Sequence, residues 1–358
     1  MPALAGQRIF SVGGTSYTWE DLVVAACLWG DWPALESQVR DGLACLARLD
    51  QLEEDGEDAL DEDDVEATAA EFRYSRDLVA AADLEAWLER RGISVDGWLD
   101  FVRRSLLRAR WADDLAAIRE EYEIDDEEVA AALECEAVCG GLASDLAGRL
   151  AARVAIRARD EAARGDADAL GREAEGLAAA VPEGLLERAL PGLRAAARRD
   201  RLRALARLEA VWQSFAAGAA PPDGLRALVA ARRLDWMRVR AQMVVAADED
   251  VAREIALCVR VDSRPLAEVA GEAGLSAETA ELWMEDLAEP LRDVLVGAQP
   301  GELLGPLADK DGHLVLAVGD KRLPSPDDPA VLARAERVLL ARTVDREVAN
   351  RVTWHESL

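Results

Sequence analysis

VLVGAQPGELLGP, residues 294–306, closes one helical pattern and then sets Pro300–Gly301 and Gly305–Pro306 in quick succession. Gly reaches positive φ without steric cost and Pro presets φ near about −65°, so each pair marks a turn. LVLAV at 314–318 then reads as a buried strand. Upstream, RVRAQMVV at 238–245 alternates and ends in a β-branched pair, so it reads as another strand. Helices are expected at 251–259, entered at Asp248, at 266–273 and at 289–296. Pro324, Pro326 and Pro329 make a rigid connector to a last helix over 330–350. The pattern predicts a small α+β domain over 236–321.

Outward from that domain the chain reads as helix. Ala, Leu, Arg and Glu dominate its 358 residues, and aromatics make up only 5 %. Such residues lose little entropy on becoming helical. A short hairpin is expected around Gly13–Gly14, then a helix capped by Thr18 with Asp21 three residues on. Gly30, Asp31 and Pro33 should break it before a second helix over 34–52, which closes an N-terminal part, 1–52. A helical module is expected over 64–235. In it Leu84, Trp87 and Leu88 form one apolar face, Gly92 ends that helix, and Ser94 with Asp96 starts the next. Trp98, Phe101 and Val102 then repeat the spacing of a helix-on-helix core. Breaks fall at Gly140–Gly141, Gly165, Pro182, Pro191 and 219–222. Arg concentrates at 193–210 around Leu193, Leu202, Leu205 and Leu208, an amphipathic helix whose Arg face is free to pair internally.

Acidic residues outnumber basic ones 70 to 42, a formal charge of −28. That surface repels a phosphate backbone, so nucleic acid is not an expected partner. The densest run, EEDGEDALDEDDVE at 53–66, reads as a solvated linker or helix entry. A basic-peptide clamp is the sharper alternative, with charge alone behind it. No apolar run approaches membrane-spanning length, and residues 1–10 lack a cationic segment followed by an apolar one. The sequence therefore predicts a cytoplasmic protein with no membrane partner and reduced thiols. Cys135 and Cys139, four apart in a helical pattern, have no second cluster to complete a metal tetrahedron and read as small buried or half-buried side chains. No phosphate loop, glycine fingerprint or Ser/His/Asp set is present, so no cofactor is expected.

The order strand, three helices, Pro–Gly–Glu, Gly–Pro, Gly, strand across 236–321 resembles the parvulin (PpiC-type) peptidyl-prolyl isomerase domain. Gln242–Met243–Val244–Val245 stands where that family has His–Ile–Leu–Val, and Gly312–His313–Leu314–Val315–Leu316 stands where it closes with Gly–Tyr–His–Ile–Ile. VGGTSYTWEDL at 12–22 and the 83–110 stretch, with its Gly92–Ile93–Ser94 turn, resemble the N-terminal module of SurA-like chaperones. The resemblance implies a helical SurA-like module, a parvulin-like domain, and a C-terminal helix, 330–358, packing back on the module. Among cytoplasmic relatives with degenerate parvulin domains, the chain looks most like peptide maturation proteins found beside modified-peptide biosynthesis genes.

The departures bear on function. The family's two inward-facing histidines fall at Gln242 and Leu314. His313 is one position away, and on a strand that shift turns a side chain to the other face. The loop that carries a Cys or Asp in the family is replaced by GLSAETAELWMED, 274–286. The apolar pocket is kept, with the family's Met and Phe falling at Leu287 and Leu291, and Trp283 and Met284 add adaptable area. The resemblance thus implies a non-catalytic binder of unfolded or precursor peptide, contacting it through Gln242, Leu287, Leu291, Leu314, Trp283 and Met284, with modifying enzymes as further partners. Two alternatives stay open: an isomerase rearranged around Gln242, Glu285 and Asp286, and a structural adaptor in a biosynthetic complex.

Overall fold

Helix-forming composition with sparse β-branched runs builds a mainly α protein with a small α+β domain. The computed structural model describes residues 4–56, 60–159 and 167–355. Residues 57–59 of the acidic run, the Gly165 break, and residues 1–3 and 356–358 lie outside the described residues. The chain divides into two units, residues 1–217 with 343–358, and residues 218–342. No helix of the described residues is long and apolar enough to cross a membrane.

The first unit opens with β1 (Arg8–Val12) and β2 (Thr15–Thr18), an antiparallel pair around Gly13–Gly14. Both glycines take positive φ, the backbone that a tight hairpin turn requires. Helix α1 (Trp19–Trp29) starts as expected, with Asp21 accepting the Thr18 backbone N–H at 2.8 Å. Gly30 ends it, and α2 (Asp31–Glu54) follows at once. The break expected at Pro33 is absent, because Pro33 falls in the first turn of α2, where N–H groups have no helical acceptor to lose.

Then come α3 (Glu62–Tyr74), α4 (Ala81–Arg90), α5 (Val95–Arg110), α6 (Leu115–Glu121), α7 (Asp126–Cys139), α8 (Leu142–Arg159), α9 (Ala167–Ala179), α10 (Leu185–Ala189) and α11 (Ala195–Gly218). Ser94 caps α5 by accepting the Gly97 N–H at 3.0 Å. Phe72, Leu84, Leu88, Trp98, Phe101 and Val102 close into one cluster across α3, α4 and α5, the core that their spacing predicts. Leu202, Leu205 and Leu208 of α11 are buried. Arg201 and Arg198 pair with Asp21 and Glu187, so at these positions the Arg-rich face is used internally.

Two buried carboxylates tie the bundle. Glu136 on α7 is 0 % exposed and accepts from Arg104 at 3.1 Å and Arg108 at 2.5 Å on α5, and from Gln38 on α2 at 3.2 Å. Gly42 makes room for this: a Cβ there would lie 2.9 Å from the Arg104 Cβ. Glu209 on α11 accepts from Arg153 on α8 and, at 2.9 Å, from the Trp29 indole N–H on α1. Cys139 is buried and Cys135 half-buried, their sulfurs 3.8 Å apart. Burial pushes the Cys27 thiol up to about 12 and the Cys45 thiol up to about 11, which keeps both protonated at neutral pH.

The second unit holds α12 (Pro222–Ala231), β3 (Arg238–Ala246), α13 (Glu249–Asp262), α14 (Leu266–Glu272), β4 (Glu278–Trp283), a 3₁₀ turn (Met284–Asp286), α15 (Glu289–Gly297), β5 (Leu303–Asp309) and β6 (Gly312–Arg322). The strands form an antiparallel sheet in the order β4-β3-β6-β5. The expected strands are its centre, β3 and β6. Its edges, β4 and β5, correct the expectation that 274–286 is loop and 303–309 only turns. Edge strands tolerate what central strands do not: β4 has three of its six positions polar and exposed, and β5 contains Pro306 where the register with β6 shifts.

Helix α16 (Pro329–Arg351) begins in the second unit and is grouped with the first from Thr343. Its first turns bury Val331 and Ala335 with Leu225, Leu228 and Val229 of α12 and with Trp236. After it, β7 (Val352–Trp354), which the sequence reading takes as helix end, adds to β1 and puts Trp354 against Phe10.

Candidate peptide-binding face

Period-2 alternation gives the second unit's sheet two apolar faces. One is covered by α13 and α14 and carries Val244, Ala246 and Val315. The other carries Val239, Ala241, Leu314, Leu316 and Val318 beneath Met284 and α15. On this second face the register lines up two rows. Leu307, Leu314 and Val245 stand side by side across β5, β6 and β3, and Leu304, Leu316 and Met243 form the next row. Leu287 and Leu291 pack over them. Leu314 and Leu316 are buried, whereas Met243, Leu287, Leu291 and Leu307 are half-exposed and Val245 is 40 % exposed. The outcome is an apolar surface with a packed floor.

The six residues named from the sequence do not all meet there. Leu287, Leu291 and Leu314 share the face, as does Met284, but Met284 is fully buried and serves as floor rather than contact. Gln242 is on the wrong side: it pairs with Ala317, a residue of the α13/α14 face. Strand alternation puts its neighbour Met243 on the Leu314 side instead, so the expected placement was off by one residue. His313, opposite Ala246, also faces away from Leu314. Trp283 belongs to the cluster around Trp236 and α16, between the guanidinium groups of Arg238, 5.1 Å from the ring centre, and Arg334, 4.8 Å away. The residues missed by sequence reasoning are Met243, Val245 and Leu307. Counting alternation outward from Leu314 would have found Val245 and Met243, but Leu307 depends on the edge strand β5.

Glu278 on β4 stands at the edge of the face opposite Met243, and the two acids of the following turn are held elsewhere. Glu285 accepts the Trp236 indole N–H, and Arg334 ion-pairs with Glu285 at 3.5 Å and with Asp286. The turn is therefore stapled to α16. The Arg334 guanidinium holds the Asp286 carboxyl below the usual carboxylate range. A depressed carboxylate contributes stability that is whole above its unfolded pKa, about 3.9, and is lost as pH falls through the folded value. The second unit should thus weaken below about pH 4, and Asp286→Asn should flatten part of that dependence. Calorimetric melts between about pH 3 and 5 test this, and an identical pH slope in the variant would remove Asp286 from the account.

Two further contacts set the walls. Lys321 on β6 donates to the carbonyls of Leu295, Val296 and Ala298, closing the C-terminal end of α15 where such groups lack helical partners. Arg260 on α13 donates to Leu303 and Gly305 carbonyls at 3.2 and 2.9 Å and holds the β5 edge. Gly305 has φ +108, and a Cβ there would sit 2.4 Å from the Leu314 carbonyl oxygen, so only Gly permits this approach of β5 to β6.

No family model matches the sequence, and no curated protein matches it. Solved structures similar to the chain include two peptidylprolyl isomerases named PrsA. The one from Bacillus anthracis is 13 % identical over 56 % of this chain and 94 % of its own, with a TM-score of 0.30. The one from Bacillus cereus is 12 % identical over 62 % and 85 %, with a TM-score of 0.35. A third comes from a study of two SurA-like chaperones of Campylobacter jejuni, 13 % identical over 52 % and 90 %, with a TM-score of 0.23.

Proposed function

We propose that this chain is a chaperone-like factor that holds an extended, unfolded or precursor peptide on the Met243–Leu291–Leu314 face and does not isomerise it. The observation that carries the reading is the placement of Met243 beside Leu316 and of Val245 beside Leu314, with half-exposed Leu287 and Leu291 packed over them, an apolar surface bordered on β4 by Glu278 opposite Met243. Rotation about a peptide bond faces a barrier of about 18–20 kcal/mol, and apolar walls offer no group to stabilise its transition state. The acids that a rearranged isomerase needs, Glu285 and Asp286, are engaged by Trp236 and Arg334. The finer reading is that the client is a precursor in peptide maturation, delivered to modifying enzymes.

Titration of the full chain with extended proline-containing peptides, followed by calorimetry, should give dissociation constants in the micromolar range or tighter, about −8 kcal/mol. A protease-coupled prolyl assay should stay at the uncatalysed rate. Absence of heat with every peptide, or a rate above background that vanishes in Leu291→Glu, would overturn the reading.

A further inference from the structure

The acidic run read from the sequence acquires a shape in the first unit. Helices α2, α3 and α5 enclose a cavity of about 720 Å³. Ligand pockets span roughly 300–1,000 Å³. Its floor is apolar, made by Leu46, Leu49, Leu60, Val65, Trp98 and Leu99. Its rim is acidic: Asp50 and Glu53 on α2 face the cleft with Glu62 and Glu66 on α3. All four are exposed, and none has an ion-pair partner among the described residues. The one cation in the lining, Arg103, lies 3.5 Å from Asp100, also in the lining. Trp98 is 5 % exposed, and its buried indole N–H has no acceptor among the described residues.

We propose that this cleft binds a peptide segment that alternates apolar and basic side chains. It uses no residue of the face proposed above. A Lys or Arg side chain lays its methylene stem on apolar surface and keeps its charge at the edge, which matches a leucine-lined floor below carboxylates. Four unpaired acids of one sign around a single mouth repel one another, and a bound cation relieves that repulsion. Six apolar side chains below four acids offer room for several side chains in succession, which favours a peptide over a simple amine. A merely solvated acidic face accounts for the rim, but it leaves the apolar cavity without a role.

The test is fluorescence anisotropy with a short labelled peptide alternating Leu and Lys, measured on the full chain carrying Leu291→Glu so that the second unit's face is disabled. Tight binding is expected there, weakening with salt as exposed charge pairs are screened. Charge reversal at Glu53→Lys with Glu66→Lys, both exposed positions, should cost on the order of tenfold or more in affinity with the melting temperature kept. The matching Leu–Glu peptide and n-hexylamine should bind far more weakly. The proposal is overturned if the Leu–Lys peptide fails to bind, if the charge-reversed chain binds it unchanged, or if the Leu–Glu peptide binds equally well. Equal binding of hexylamine overturns the peptide assignment. Retention of Leu–Lys binding alongside loss of proline-peptide binding in Leu291→Glu separates this site from the other.

Discussion

Leu291→Glu should abolish binding of extended peptide to the second unit while leaving the chain folded. Leu291 is half-buried on α15, packed over the Leu314–Leu316 floor. A carboxylate there must either swing out, uncovering the floor, or meet the peptide's apolar side chains unpaired, and an unpaired charge under a bound apolar group is costly. A loss of about 3 kcal/mol is expected, which is more than a hundredfold in affinity. Because the position is half-exposed in the free protein, the stability cost should stay near 1 kcal/mol. Calorimetric titration paired with thermal melts checks both numbers. Full-strength binding in the variant would move the peptide site off this face. Leu257→Glu, an exposed position on α13, is the control expected to bind as the parent does.

The largest effect on stability is expected at Glu136→Ala. Arg104 is 4 % exposed, and with Glu136 gone its guanidinium and that of Arg108 face each other across a gap with no counter-charge. Removing one partner of a buried ion pair costs about 3–5 kcal/mol, because the remaining charge stays buried and uncompensated. For a unit of this size that is a fall in melting temperature of roughly 6–20 °C. Replacing Glu136→Leu together with Arg104→Met should recover part of the loss, since the more deeply buried of the two guanidinium groups leaves with the carboxylate. A single-site variant that melts with the parent would show the network to be incidental. The first-unit transition should shift and the second should not, which differential scanning calorimetry resolves.

The edge strands show where sequence patterns stop being informative. A helix such as α5 announces itself through Ser94 at its cap and Trp98, Phe101 and Val102 on one stripe, because helical hydrogen bonds and the apolar stripe both lie within one segment. The central strands are equally legible, since β3 alternates and ends in a β-branched pair and β6 carries the buried run Leu314–Val315–Leu316. The edges are not. Half of each edge strand's hydrogen-bonding groups and much of its surface meet solvent, so ETAELW and LLGPLAD are free to carry acids, Gly and Pro. Likewise β7 exists only because β1 offers it an edge.

Composition and local spacing alone determined the helical class, the hairpin, the caps at Thr18 and Ser94, and the apolar character of the positions opposite Leu287 and Leu291. Those properties rest on interactions within a few residues. Which side of the sheet each residue of RVRAQMVV occupies, that Glu285 and Asp286 are spent on Trp236 and Arg334, and that Asp50, Glu53, Glu62 and Glu66 line one leucine-floored cleft were decided only by tertiary structure. Facing, pairing and enclosure arise between segments distant along the chain, and no local periodicity encodes them.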